Sequence, residues 1–338
     1  MNVSIIIPVY NAALYIEDCL RSVMRQTYTG SMECLIIDDC GSDDSIAIAE
    51  RLMADYTGPI QFRILHHEHN RGLSAARNTG TLAATGDYLY YLDSDDEITE
   101  DCIKKLMQKM MENSDVEMVA GNGYRHLTPQ KSVVFWKKPI LAAVTNDEVR
   151  KCYFQHRQMG AVWNKLLRRD FIIKNNILCK EGVIWEDMLW TFILLKQLNK
   201  ACFLPDVTYH YKLRANSIVT GTDNRTGIHN LCIIYRYIFT HLTPGHEREE
   251  FNHYAKRICG PYIRSVREEP TIRDVFLLCR EKSVIYGNRS VRLRLAICSV
   301  LGQAKYGYIV WKLMKWLRYP LMLFFRMCAN SVRSGLPV

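Results

Sequence analysis

Through the first 120 residues, short runs of β-branched and aliphatic residues alternate with longer stretches of helical period. VSIIIPV (3–9), ECLIIDD (33–39), IQFRILHH (60–67) and DYLYYLD (87–93) predict strands, and SDVEMVAG (114–121) predicts a fifth. Residues 12–26, 43–56, 73–84 and 99–112 between them predict helices, with Asp43 as an N-cap. Such alternation predicts an α/β fold: a mostly parallel central sheet with helices on both faces. Ligands of these sheets bind beyond the carboxyl ends of the strands. The predicted strands end there in polar residues: Tyr10 and Asn11, Asp38 and Asp39, His66 to Asn70, and Asp93 to Asp96. From residue 224 onward the strand pattern is gone and a helical region is expected.

Composition adds few constraints. With 338 residues, 48% of them hydrophobic and 23% charged, the chain has enough apolar material for a sizeable core. Its twelve cysteines form no C-x2-C pair and no zinc spacing, which predicts reduced thiols and a cytoplasmic setting. MNVSIIIPVYN has no basic region before its apolar run, and no stretch reaches about eighteen uncharged apolar residues, so neither a signal peptide nor a spanning helix is expected.

Charge is distributed unevenly. Residues 1–100 carry 6 basic and 16 acidic side chains (−10), residues 101–244 carry 21 and 12 (+9), and residues 245–338 carry 17 and 7 (+10). No acidic residue follows Glu281, whereas Lys282 to Arg333 includes ten basic ones. An acidic front and a basic tail suit different partners.

The densest feature is DYLYYLDSDDEIT, an apolar strand running into Asp93, Asp95, Asp96 and Glu97. Crowded carboxylates repel one another unless a cation or well-placed donors offset the charge. Asp93 and Asp95, one residue apart at a strand end, could hold a hard divalent cation that in turn binds a diphosphate, or form an ordinary acidic loop. No G-x-G-x-x-G follows the first strand and no P-loop motif occurs, so a glycine cradle for phosphate is absent.

Four segments in this order, IIIPVYNAALYIEDCLRSVMRQTY, LIIDDCGSDDS, HNRGLSAARNTG and YLDSDD, together resemble the nucleotide-sugar-binding half of family 2 glycosyltransferases with the A-type glycosyltransferase fold. The resemblance is strong over residues 1–115 and weaker to about 220. It implies an inverting transfer from a nucleotide diphosphate sugar, a UDP-sugar first, that uses magnesium or manganese. By this likeness Pro8, Val9 and Tyr10 flank the nucleobase, Asp39 accepts its N–H, and Asp38 holds the loop. Asp93 and Ser94 lie at the ribose, and Asp95, with Asp93, is the metal ligand. Asp96 and Glu97 become supporting or helix-leading residues. Arg71 and Arg77 reach the diphosphate, or Arg77 and Asn78 lock the loop to the sheet. Cys40 and Gly41 stand where the family often has Gly and Ser, which leaves that turn's geometry open.

Single displacement at an anomeric carbon needs a base for the acceptor hydroxyl. GVIWEDMLW (182–190) resembles the family's Glu-Asp motif, which implies Asp187 as the base, with Trp185 and Glu186 near the acceptor or diphosphate. The alternative for the pair is a helix cap. VWNKLLRRDFI (162–172) and YHYKLRANSIV (209–219) resemble the flanking segments, and His210 and Arg214 in the second could reach diphosphate or acceptor.

The expected organisation is a donor half (1–115), an acceptor and base half (116–222) and a helical basic region (223–338). Within the last, residues 293–327 interleave aromatic and aliphatic side chains with Lys305, Lys312, Lys315, Arg318 and Arg326. That pattern suits a helix in an anionic membrane interface, hence a peripheral placement and a lipid-linked saccharide acceptor; the alternative is a helical cap. The acidic site argues against nucleic acid. A nucleotidyltransferase or a catalytically inactive nucleotide-sugar-binding scaffold are the competing readings.

Overall fold

The computed structural model describes residues 1–128, 131–135, 145–156, 160–213, 224–266 and 270–303. The chain divides into two compact units, Met1–Gly221 and Thr222–Val338.

In the first unit the strands β1 (Val3–Val9), β2 (Met32–Asp38), β3 (Gln61–His66), β4 (Tyr88–Tyr91), β5 (Glu97–Ile98), β6 (Met118–Thr128), β7 (Lys131–Val134), β8 (Lys165–Arg168) and β9 (Ala201–Lys212) form one sheet. Its order is β3-β2-β1-β4-β8-β6-β9-β5, with β7 against β6. The β3-β2-β1-β4 block is parallel, β8 runs antiparallel to β4 and β6, β6 and β9 are parallel, and β5 is antiparallel to β9.

All of β1 is buried, as expected of an apolar strand covered on both sides. Its odd residues Ile5 and Ile7 pack with α1 (Ile16–Met24), α2 (Ser45–Ala54) and α4 (Cys102–Glu112); α1 contributes Ile16, Cys19, Leu20 and Val23, one helical face. On the opposite face lies α3 (Leu73–Ala83), so close that a Cβ on Gly80 would sit 2.4 Å from Ile6 Cγ2. The helix α7 (Glu186–Gln197) joins the sheet through Trp190, edge-on to Tyr91 with centroids 6.4 Å apart. The short helices α5 (Asn146–His156) and α6 (Arg169–Lys174) complete this unit's described helices.

Asp43 does not cap α2. The cap position is Asp44, and Asp43 instead accepts the N–H of Ala13 (2.8 Å) and of Ser45 (3.1 Å), tying the ends of β1 and β2 together. The fifth strand starts at Met118 rather than 114, because residues 113–116 turn out of α4, the Val116 N–H donating to Asn113 O (3.1 Å).

The second unit is helical: α8 (Asn224–Thr240), α9 (Glu247–Ser265), α10 (Pro270–Tyr286) and α11 (Arg289–Gln303). Phe251, Tyr254, Ile258, Phe276, Leu295 and Cys298 form its interior, and Tyr262 stacks on Phe276 at 3.7 Å. Among the described residues no helix is long and apolar enough to cross a membrane. The aromatic and basic tail of residues 304–338 lies outside the described residues, as does Arg214.

Candidate active site

β1 lies between β2 and β4, where the strand order reverses, and the crevice at such a point is the ligand site of open α/β sheets. Pro8 carries no N–H, and the β1–β4 ladder stops at Ile6, so the two strands part toward their carboxyl ends. Pro8 and Val9 are buried, and the half-exposed Tyr10 stands at the rim beside Asn11, whose φ is 48°.

Asp39 is buried, and its carboxylate holds the loop leading into α3. Oδ1 accepts the N–H of Arg71 (2.8 Å) and meets His67 Nδ1 (2.7 Å), while Oδ2 accepts the N–H of Gly72 (2.8 Å). Asp38 acts similarly, accepting the N–H of Cys40 (3.0 Å) and meeting His66 Nδ1 (2.9 Å). Loop-holding, expected of Asp38 alone, is therefore shared by both. Cys40 adopts φ 57°, a region costing an L-residue roughly 1–2 kcal/mol and glycine nothing. His67, whose Nε2 lies 2.9 Å from Thr79 Oγ1, was not singled out in the sequence, where it is one histidine among several.

The acidic run follows β4. One carboxylate oxygen from each of Asp93, Asp95 and Asp96 lies within 4.8 Å of the others. Asp96 is 1% exposed and accepts Tyr209 O–H (2.7 Å) and the N–H of Lys212 (2.8 Å), so it anchors β9 rather than leading a helix; α4 begins only at Cys102. Burial, then the charges of Asp95 and Asp93, push its carboxyl well up. Hard oxygen donors repelling one another at this spacing fit a magnesium or manganese ion. Asp95 and Asp93 would hold it, with Asp96 engaged behind them. Ser94 is buried between them in the chain.

Arg77, one turn into α3 and 3% exposed, joins this cluster to the far segment. One guanidinium nitrogen donates to Asp93 Oδ1 (2.7 Å) and another to Glu186 Oε1. Asn78 pins the same segment, donating to Cys179 O (2.9 Å) and Glu181 Oε1 (3.1 Å) while accepting the N–H of Cys179 (2.8 Å). Arg77 and Asn78 thus tie α3 to the 179–186 segment and to Asp93, a different connection from the expected lock of their loop to the sheet. Arg71 is at the exposed rim, 3.3 Å from Glu181, in a surface pair weak enough to exchange for another anion.

Glu186 is held by Arg77, and Asp187 is the other carboxylate of the pair. It opens α7, and burial, followed by the Glu186 charge, raises it to about 7, against the smaller opposing pull of Arg77 and the Met188 N–H (2.8 Å). A base suited to neutral pH has this value. Trp185, the residue that precedes α7, has φ 61°, an outlier for a bulky residue that costs on the order of 1–3 kcal/mol and aims the start of the helix. Lys165 was not expected in this neighbourhood. It is 3% exposed, donates to Trp163 O (3.3 Å) and to Ala161 O, and is pulled down to about 7 by burial while the Asp187 charge opposes. Only the likeness of its segment to the family's could have flagged it, because KLLR reads as an ordinary strand.

His210 is placed elsewhere. Strand alternation turns it away from Tyr209 and Tyr211, and its Nδ1 lies 3.0 Å from His126 Nε2, which lowers its pKa together with the larger effect of burial.

Comparison with known proteins follows this geometry. Residues 4–174 match the family described as glycosyl transferase family 2. The chain is 29% identical over 318 residues to an uncharacterized glycosyltransferase, YibD, of Escherichia coli (strain K12), covering 86% of this chain and 89% of that protein. Its fold is similar to S. aureus TarS 1-349 in complex with UDP-GlcNAc, with a TM-score of 0.72 at 21% identity over 89% of this chain and 88% of that one. It is also similar to the mannosyltransferase PcManGT from Pyrobaculum calidifontis in complex with GDP-Man and Mn2+, with a TM-score of 0.56 at 16% identity, covering 92% and 83%.

Proposed function

Because this chain belongs to glycosyltransferase family 2, we propose that it transfers a hexosyl or hexosaminyl group, with inversion, from a nucleotide diphosphate sugar to a saccharide acceptor in cell-surface polysaccharide synthesis. The observation that carries this is the buried Arg77 joining Asp93 of the acidic cluster to Glu186, the neighbour of Asp187. Residues 1–115 would hold the donor, and residues 116–222 the acceptor and base. A UDP-sugar is the first donor to try, and the UDP-GlcNAc complex of TarS supports that choice.

Asp187 takes the proton of an acceptor hydroxyl as its oxygen bonds to the anomeric carbon. The bond from that carbon to the diphosphate breaks, and the nucleoside diphosphate leaves with the electron pair. Asp95 and Asp93 would hold a divalent cation, which when bound offsets the charge of the departing diphosphate. Arg77 keeps the acidic cluster and the start of α7 in register, and Arg71, exposed at the rim, would meet phosphate.

A panel of UDP- and GDP-sugars offered with mixed oligosaccharides tests the proposal by nucleoside diphosphate release and by the anomeric configuration of the product. Asp95→Ala should abolish release, and excess chelator should stop the wild type until magnesium or manganese is restored. Full activity in chelator would refute the cation, and a retained anomer would refute direct displacement. No release with any donor would favour the scaffold reading.

One observation favours a lipid-linked acceptor and a peripheral location: α10 and α11 expose Leu277, Val284, Ile285 and Val300 in a region with no acidic residue after Glu281. Co-sedimentation with anionic vesicles, reduced by salt, is the expected result.

A further inference from the structure

On the face of β6 and β9 turned toward Asp96, aromatic rings gather that the donor chemistry does not use. Trp163 stacks on Tyr209 at 4.4 Å and 12°, and on Tyr211 at 5.8 Å and 14°. Phe135 leans on Trp163 at 5.5 Å and on Tyr211 at 6.3 Å. Gly123 makes room for it, since a Cβ there would come within 2.6 Å of the Phe135 ring. Tyr209 is fully buried and holds Asp96, but Trp163, Tyr211 and Phe135 remain partly open.

Trp163 is fixed from behind. The next residue, Asn164, is buried with φ 57° and donates to Gly121 O (2.8 Å) and Asn122 O (2.9 Å) while accepting Thr208 O–H (2.8 Å) and Tyr90 O–H (3.1 Å). This ties β4, β6, β8 and β9 to one point. A ring so rigidly mounted and still partly exposed loses little entropy when a ligand covers it.

At the edge of the wall Arg125 lies over the Tyr211 ring, its guanidinium carbon 5.9 Å from the centroid. Register places Arg125 opposite Tyr211 in the β6–β9 ladder, on the same face. Arg125 is exposed and forms no ion pair with a carboxylate among the described residues. Tyr209, the buried member of the wall, donates its O–H to Asp96 (2.7 Å), and the N–H of Lys212, next to Tyr211, donates to the same carboxylate (2.8 Å), so the wall adjoins the acidic cluster.

We infer that the wall of Trp163, Tyr211 and Phe135, with Arg125 at its rim, is the acceptor subsite, and that it selects a saccharide bearing an anionic group. A pyranose has one face of C–H groups that covers an aromatic ring, and its ring hydroxyls remain free for the polar rim. A guanidinium beside that face binds a carboxylate or phosphate in bidentate fashion, which a neutral sugar cannot offer. The inference rests on the glycosyltransferase reading and adds the acceptor class to it.

The full-length protein is tested by two measurements. The first is donor hydrolysis without acceptor. It should be unchanged within about twofold in Arg125→Ala, which lies outside the donor machinery, and its complete absence in wild type with every donor would tell against the transferase reading alone. The second is direct binding, without donor, to immobilised oligosaccharides: a hexuronic acid oligomer, a phosphomonoester-bearing hexose oligomer and a neutral hexose oligomer of equal length. Wild type should retain one or both anionic oligomers at least tenfold better than the neutral one, and which of the two is held better identifies the anion. Arg125→Ala should remove that preference, Arg125→Lys should restore part of it, and Tyr211→Ala should weaken binding of all three roughly tenfold. Equal retention of neutral and anionic oligomers by wild type, or an unchanged preference in Arg125→Ala, overturns the inference. So does Tyr211→Ala binding like wild type while its circular dichroism and melting temperature are unaltered.

Discussion

Replacing Asp187 with Asn separates the base from the scaffold, because the two roles move stability in opposite directions. The native carboxyl is raised from 3.8 to about 7, chiefly by burial and then by the charge of Glu186. A carboxyl whose folded pKa is raised costs nothing below the unfolded value, where both states are protonated. As pH climbs from about 4 to about 7 the unfolded state ionises and the folded one does not, so stability falls; above about 7 the cost is constant. Roughly three pH units at 1.36 kcal/mol each set a ceiling of about 4 kcal/mol, which partial exposure of the side chain to solvent reduces to about 2–4 kcal/mol. Asn keeps the shape and the oxygen that accepts the Met188 N–H, and carries no charge to bury.

The variant should therefore be more stable than wild type at pH 8, and the gap should shrink by about half or more at pH 5. For a folding unit of this size each kcal/mol moves the melting temperature about 2–4 °C, well within the reach of calorimetry on the protein free of donor and cation. Transfer should fall by about 10²- to 10⁴-fold in the same variant, and the wild-type kcat/KM should lose about tenfold per pH unit below about 7. An Asn variant no more stable at pH 8 than wild type, or one whose gap is the same at pH 5, refutes the buried, raised carboxyl. Retained transfer refutes the base.

Arg77→Met should destabilise the first unit by about 3–5 kcal/mol, because Asp93 and Glu186 would keep their charges without the shared partner; thermal unfolding close to wild type would show that the bridge holds nothing. Glu33 is buried and accepts Ser4 O–H (2.6 Å), the N–H and O–H of Thr85, and Arg63 (2.9 Å), which together outweigh the burial that would raise it and bring its carboxyl down to about 2. Its depressed value contributes about 3 kcal/mol above pH 4.5, lost as pH falls toward 2, so Glu33→Gln should weaken the fold at pH 7 much more than at pH 3 in urea titrations, and an equal loss at both would count against the ionised clamp.

The front of the fold was legible because local pattern and tertiary role coincide there. VSIIIPV is apolar at every position and is covered on both sides, and Ile16, Cys19, Leu20 and Val23 face the core as their spacing requires. Two predicted helix limits coincide with the observed ones and the other six ran one to four residues long, since terminal residues such as Thr99 and Glu100 carry helix-compatible spacing but serve as turn anchors for Gln26 and Thr27. The site's connections were not legible. Arg77 meets Glu186 across 109 positions, and nothing near either residue reports it. Asp96 read as a supporting or helix-leading member of the acidic run, and only the arrival of Tyr209 and Lys212 on β9 makes it an anchor. His210 would have been assigned to its proper face had YHYK been read as a strand, because period two separates it from Tyr209 and Tyr211.

The shared guanidinium of Arg77 also bears on how such enzymes could be recombined. A chimera that takes the first 115 residues from one relative and the remainder from another looks natural from the sequence, because the acidic motif and the base motif lie on opposite sides of that junction. Yet the interior cation at position 77 belongs to both parents at once, as do the amide of Asn78 and the backbone of Cys179 that it grips. A graft that exchanges the first 115 residues would have to carry residues 179–187 with it to keep these contacts, so the unit that exchanges intact is discontinuous in the chain, and shuffling at the apparent boundary would yield proteins mismatched where α3 meets that segment.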